Sequence, residues 1–227
     1  MVDNPVFILI HGFGGDISEV QSLADHLLSI GYQVVCPKLK GHTGAKADLK
    51  EVTYQDWVSS VAEEISKLQN EYDQLILVGF SMGGLIAFNL AQRFSISALI
   101  TINTPIYYWD IKQIVCNIIT DIKQGEFNHT KRYLDNSLGF PVEALINFRL
   151  LLNKTKPVLG KINCPVFVLQ GRDDDVVRHQ SADYIYNNVA SSIKQIKYYD
   201  HSGHTMLKSA AAAEAIFDIM AFLNEKL

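Results

Sequence analysis

Cysteine is scarce in this chain. Cys36, Cys116 and Cys164 are the only three among 227 residues, odd in number and far apart. That spacing argues against a disulfide framework and against a zinc site built from paired thiolates. The three read as reduced, packing thiols of a cytoplasmic protein. A dominant charge is lacking too, since 20 basic and 24 acidic residues are interspersed and leave a formal net charge of -4. Nucleic acid and anionic lipid would find no electrostatic footprint on such a surface, and a small neutral or weakly charged partner fits better. No apolar run reaches membrane-spanning length, so stable membrane insertion is not expected. Met1-Val2-Asp3-Asn4-Pro5 lead directly into a short apolar stretch without the basic n-region or small-residue cleavage site of a secretion signal. Internal repeats are absent, low complexity is confined to the four alanines at 210 to 213, and no feature specifies an oligomeric state.

What is present is enough apolar material for a full core: 48% of residues are hydrophobic and 10% aromatic, sufficient at this length for one domain with an insertion. Short apolar runs bounded by Gly, Pro or Asn alternate with longer stretches of helical period. This is the pattern of an α/β fold with a mostly parallel sheet covered by helices. The expected strands are Val6 to Ile10, Gln33 to Cys36, Leu75 to Val78, Ala98 to Ile102, Val166 to Leu169 and Lys194 to Tyr198. Between them Val20, Leu23, Ala24 and Leu27 recur at helical spacing, as do Val58, Val61, Ile65 and Leu68, and later Ile216, Met220 and Leu223. Ser18 and Gln21 predict a capping box for the first helix, and Gly31 stands where a glycine would stop it. From about Pro105 to Pro157 the alternation breaks. Helical pattern continues there without a strand, rich in Tyr107, Tyr108, Trp109, Phe127, Tyr133, Phe140 and Phe148. A structureless loop of that length is improbable, so the segment 105–157 reads as an inserted cap of short helices, with 1–104 and 158–227 as the core.

The chemistry begins at Gly79-Phe80-Ser81-Met82-Gly83-Gly84, between the third strand and a helical stretch. A serine on a sharp strand-to-helix turn is lifted above the sheet edge, and glycines flank it because side chains there would collide with neighbouring backbone. The helix N-terminus supplies unpaired N–H groups where negative charge develops. Serine at its own pKa is a poor nucleophile, so the reading requires a histidine base and an orienting carboxylate. Asp173, Asp174 and Asp175 follow the fifth strand, and His201 and His204 follow the sixth. Asp174 is the preferred acid, with Asp173 and Asp175 as competitors. His204 is preferred over His201, because it lies past Gly203 on the turn leading back toward the sheet edge. His26, His129 and His179 are assigned no chemistry. The loop His11-Gly12-Phe13-Gly14-Gly15 after the first strand is the place for an N–H aimed at an oxyanion, and the expected donors are the amides of Phe13 and Met82. His11 reads as a brace for that loop. Its glycines lack the Gly-Lys-Ser/Thr ending and the G-x-G-x-x-G spacing of nucleotide sites.

Taken together, these residues resemble the α/β-hydrolase superfamily, and within it the small bacterial carboxylesterase and monoacylglycerol lipase-like branch. The motifs are Ile10-His11-Gly12-Phe13, Gly31-Tyr32, Lys40-Gly41-His42, Asp56-Trp57, Gly79 to Gly84, Gly171 to Val177 and Ser202-Gly203-His204. Thr43 departs from the pattern, standing where a further glycine is common. The resemblance implies a nucleophile at Ser81, an acid at Asp174 and a base at His204, a helical cap in the slot 105–157, and a small-molecule ester as substrate. No cofactor and no metal are required by that chemistry. A thioesterase, a peptidase or a non-hydrolytic ligand-binding member of the fold would carry the same motifs, whereas Ser81 in place of aspartate excludes a haloalkane dehalogenase.

Overall fold

The computed structural model describes residues 5–107 and 139–227. Its sheet is built from β1 (Val6–Ile10), β2 (Gln33–Val35), β3 (Leu75–Phe80), β4 (Ala98–Ile102), β5 (Val166–Gly171) and β6 (Lys194–Tyr199). The spatial order is β2-β1-β3-β4-β5-β6, and every neighbouring pair is parallel. Strands β1, β3, β4 and β5 are buried along their whole length, which is why they read as unbroken apolar runs, while the edge strands β2 and β6 are partly exposed.

Side chains alternate between the two faces. Val6, Ile8, Ile10, Leu75, Leu77, Leu99, Val166 and Val168 share a core with α2 (Tyr54–Leu68), α3 (Met82–Ala91), α4 (Val142–Thr155) and α5 (Gln180–Asn188). Phe7, Leu9, Ile76, Val78, Ile100, Phe167 and Leu169 pack on the opposite face against α1 (Gln21–Ser29) and α6 (Ala212–Lys226). From β1 the chain runs outward to β2 and then back past β1 to β3. Connections leave β1 and β3 in opposite directions, so a crevice opens at their C-terminal ends.

Local chemistry sets the element boundaries. β3 runs on to Phe80 because Gly79 and Phe80 still pair with Thr101 and Ile102. β5 extends to Gly171 because Gln170 and Gly171 pair with Tyr198 and Tyr199. β2 stops at Val35, one residue before the expected Cys36. The capping box expected at Ser18 and Gln21 does not form. Asp16 instead caps a 3-10 turn at Ile17–Glu19 by accepting from the Ser18 amide at 2.8 Å, and α1 follows with Val20 at its N-cap and no side-chain cap. The Ser18 hydroxyl instead accepts from Lys208 Nζ, and Gln21 Nε2 donates to Asp25. Gly31 does stop α1, at φ 92°, with its N–H on the Leu28 carbonyl and that of Tyr32 on Leu27, a Schellman arrangement. A capping box does occur at α2, where the Thr53 hydroxyl accepts from the Asp56 amide and Asp56 accepts from the Thr53 amide.

The segment 105–157 is described in part. Tyr108, Trp109, Phe127 and Tyr133, with Cys116 and His129, lie outside the described residues. Its C-terminal portion forms α4, whose Ala144, Leu151 and Leu152 are buried in the core. Polar ties hold α4 to the layer beneath: the Tyr54 amide donates to Asn147 Oδ1 at 3.1 Å, and Asn89 Nδ2 donates to Thr155 Oγ1 at 2.7 Å. Among the described residues no helix is long and apolar enough to cross a membrane.

Two substitutions probe these features by urea unfolding. A β-carbon on Gly83 would lie 2.1 Å from the Ile10 carbonyl oxygen, so Gly83→Ala is expected to destabilise by about 3 kcal/mol or more, at the upper end of overpacking effects. Thr53→Ala removes one cap and is expected to cost about 1 kcal/mol.

Candidate active site

The turn between β3 and α3 puts Ser81 in a backbone conformation that L-residues avoid, φ 51° and ψ -120°. Such a conformation costs on the order of 1–3 kcal/mol and persists only where the surroundings over-determine it. Here the Ser81 amide donates to the Ile102 carbonyl at 2.8 Å. Helix α3 is pressed onto the sheet so closely that a β-carbon on Gly79 would meet Gly84 Cα at 2.4 Å. One on Gly84 would meet Thr104 Oγ1 at 1.9 Å. Serine is therefore held at the start of α3, with its hydroxyl at the sheet edge.

From β6 the chain returns through Asp200 to His204, and the ring of His204 stands over this edge. Its Nε2 lies 3.1 Å from Ser81 Oγ, and its Nδ1 lies 2.9 Å from Asp174 Oδ2. With a carboxylate at Nδ1, the proton sits on Nδ1 and donates to Asp174, which leaves Nε2 as acceptor for the serine hydroxyl. Asp174 is fixed in turn. Its Oδ1 accepts from the amides of Val176 and Val177, both at 2.8 Å, and Gln170 Nε2 donates to Oδ2 at 3.4 Å. Its side chain is 1% exposed and that of His204 is 19% exposed. The competing residues are placed elsewhere: Asp173, Asp175 and His201 are exposed, and His201 adopts φ 56° on the turn.

The loop after β1 closes the other side. Its Gly12 amide donates to Glu19 Oε2 at 2.8 Å and its Gly15 amide to the Gly12 carbonyl. Among the described residues neither the Phe13 nor the Met82 amide meets an acceptor within the protein. His11 is buried and its Nδ1 donates to the Gly12 carbonyl, consistent with the expected brace. Burial holds the His11 ring below its usual pKa, and burial with the neighbouring His11 brings His42 down to about 4. Both rings are therefore neutral at neutral pH, and the loop carries no extra positive charge. The Phe13 ring packs edge-on against Trp57 and lies 4.7 Å from Phe140 and 5.3 Å from Phe148, centroid to centroid. Among the described residues no group of three or more His, Cys, Asp or Glu side chains is placed to hold a metal ion.

Sequence reasoning missed three residues of this site. Gln170 is the penultimate residue of β5 and Asn103 directly follows β4, and a polar residue closing an apolar run was the available signal. Glu19 carried none, since an acidic residue beside a helix start is ordinary.

Comparison with known proteins follows the same lines. A family model described as "alpha/beta hydrolase fold" matches residues 5–116, and one described as "Serine aminopeptidase, S33" matches residues 129–210. The chain is 30% identical over 212 residues to a thermostable monoacylglycerol lipase of Bacillus sp. (strain H-257), covering 87% of this chain and 81% of that protein. It is 27% identical to a carboxylesterase of Bacillus subtilis (strain 168), covering 96% and 92%. A solved structure of metagenome-derived lipolytic enzymes superposes with a TM-score of 0.82 at 20% identity, covering 98% of this chain and 94% of that one, a likeness of fold.

Glu19 gives a pH-dependent prediction. Burial raises its pKa, partly offset by the Gly12 amide and His204. The native state then holds this proton more tightly than the unfolded chain, so stability falls as pH rises through the folded pKa. Glu19→Gln keeps an acceptor for Gly12 and removes the ionisation. Its melting temperature relative to wild type is expected to become more favourable as pH rises from the ordinary carboxylate range through the raised folded pKa, as read by scanning calorimetry. A pH-independent difference would contradict this account.

Proposed function

The chain belongs to the α/β-hydrolase superfamily, and from that membership we propose that it is a serine carboxylic-ester hydrolase acting on short- to medium-chain acyl esters or monoacylglycerols. The observation that carries this reading is the hydrogen-bonded series Ser81, His204, Asp174 beside two unused amides. In this proposal Nε2 of His204 accepts the Ser81 proton as Oγ attacks the ester carbonyl. The carbonyl oxygen becomes an oxyanion facing the amides of Phe13 and Met82, each donor worth about 2.7 to 4 kcal/mol when removed. Collapse breaks the carbon–oxygen bond to the alcohol, which takes the proton back from His204 and leaves. The acyl group stays on Ser81 Oγ until a water, deprotonated by the same ring, attacks it; the acyl–Oγ bond then breaks, the imidazolium returns its proton to Oγ, and the acid is released. Asp174 holds the tautomer and stabilises the imidazolium. None of these steps calls for a metal or an organic cofactor.

Substrate choice is assigned to the segment 105–157, proposed as a cap on a core formed by 1–104 and 158–227. The packing of Phe140 and Phe148 on Phe13 supports this, because it brings that segment against the loop that faces the oxyanion. The names of the monoacylglycerol lipase and carboxylesterase relatives support an ester. The match of residues 129–210 to a family described as serine aminopeptidase favours amide hydrolysis as a second reading.

Hydrolysis of p-nitrophenyl esters of graded chain length, set beside amino-acid p-nitroanilides, separates the two. Esters are expected to turn over, and Ser81→Ala is expected to lower kcat by on the order of 10⁴-fold or more. A labelled fluorophosphonate should add one adduct on Ser81 by intact mass. Turnover of anilides alone would favour the second reading, and an equally active alanine variant would end both.

A further inference from the structure

Asn103 is polar, fully buried and outside the reaction just described. It follows the last residue of β4, the strand that lies between β3, which leads to Ser81, and β5, which leads to Asp174. Its amide extends the sheet ladder by one step, donating to the Leu169 carbonyl at 2.9 Å. The backbone then turns left-handed, at φ 48°, a conformation that asparagine tolerates better than most side chains. That turn accompanies a side chain whose hydrogen-bonding atoms are occupied on two different loops. Oδ1 accepts from the Gly171 amide at 2.8 Å, at the end of the acid-bearing strand. Nδ2 donates to the Gly203 carbonyl at 3.1 Å and to the carbonyl of His204 itself at 2.6 Å. The preceding residue, Ile102, accepts the Ser81 amide. One dipeptide thus touches the backbone of all three segments that carry Ser81, Asp174 and His204.

We propose that Asn103 is a positioning residue, clamping the His204 backbone to the end of the acid-bearing strand so that the imidazole meets Ser81 and Asp174 together. The inference rests on the reaction proposed above. The chemistry of the position is restrictive. One acceptor and two donors are required at one planar group, a combination that asparagine provides and that aspartate, leucine or serine does not. Placement is also tight, since a β-carbon on Gly171 would lie 2.2 Å from the Ser202 carbonyl. The base loop therefore rests directly on the acid strand, and while Asp174 holds the His204 ring, the asparagine amide holds its backbone. A displacement of the ring of about 1 Å is enough to cost on the order of 10²-fold in rate.

The test uses the full chain and two variants. Asn103→Gly removes all three side-chain bonds while suiting the left-handed backbone, and Asn103→Asp retains the acceptor for Gly171. Active sites are counted by the burst of p-nitrophenol, so that rates refer to folded, acylatable enzyme, and melting temperatures are recorded alongside. For Asn103→Gly, kcat per titrated site is expected to fall by on the order of 10²-fold, with KM changed by less than about threefold. For Asn103→Asp, the introduced carboxyl donates to the His204 carbonyl only while protonated. Its kcat relative to wild type is therefore expected to fall as pH rises, a pH dependence that a purely structural residue would not produce. If Asn103→Gly yields no folded protein, the Asn103→Asp profile alone decides. Variants that keep wild-type kcat per site at every pH, whatever their melting temperature, overturn the proposal. Wild-type protein that turns over no ester overturns the reaction on which it rests, and the two failures are thereby distinct.

Discussion

Everything at this site depends on how closely helix α3 approaches the sheet. The helix begins one residue after β3 ends, and so abrupt a reversal leaves no room for β-carbons at Gly79, Gly83 or Gly84. Their missing side chains would sit inside Gly84, the Ile10 carbonyl and Thr104 respectively. Ser81 absorbs the remaining conflict as a left-handed residue. The strain is local and the restraint is not, because the atoms that would clash come from β1, α3 and the turn after β4. The hydroxyl is thus held by packing from three elements.

The parallel sheet supplies the rest of the arrangement through its order. All six strands point the same way, so their C-terminal ends fall along one edge. The loops after β1, β3, β4, β5 and β6 meet there, and these are neighbours in space although they are spread from residue 11 to residue 204. A different strand order would have kept every motif in the sequence and separated the groups. This is why the reversal of direction at β1 matters. It puts the loop with the unused Phe13 amide directly beside the turn bearing the Met82 amide.

The parts legible in the sequence were those written in local pattern. Fully buried strands announce themselves as apolar runs, and the glycines around Ser81 mark a turn that no other residue type suits. Gly31 likewise marked the end of α1 through its positive φ. What escaped were features decided by contacts across the chain. Ser18 looked like a cap, but its hydroxyl accepts a hydrogen bond from Lys208, 190 positions away. Asp174 was preferred over Asp173 and Asp175, but the local sequence carried no physical reason that separates the three. The structure does so through the backbone, because the turn at Val176 and Val177 donates two amides to one carboxylate and turns the other two toward solvent. Asn103 is the same kind of case, since its partners lie 68 to 101 residues downstream.

The oxyanion side of the site involves a balance of charge. The loop that carries Phe13 is anchored by a carboxylate, with Glu19 accepting the Gly12 amide next to the proposed oxyanion donor. A full negative charge there would oppose the one that develops on the substrate oxygen. Two neighbouring histidines do not offset it, because burial keeps His11 and His42 neutral. Burial also acts on Glu19, and its effect there favours the uncharged carboxyl. A protonated Glu19 would still accept from Gly12 through its carbonyl oxygen. The same apolar surroundings that make the anchor rigid therefore also shift it toward the uncharged form, the direction that would ease its opposition to the oxyanion in the proposed reaction, where Phe13 lies next to the anchored Gly12 and Met82 opens helix α3.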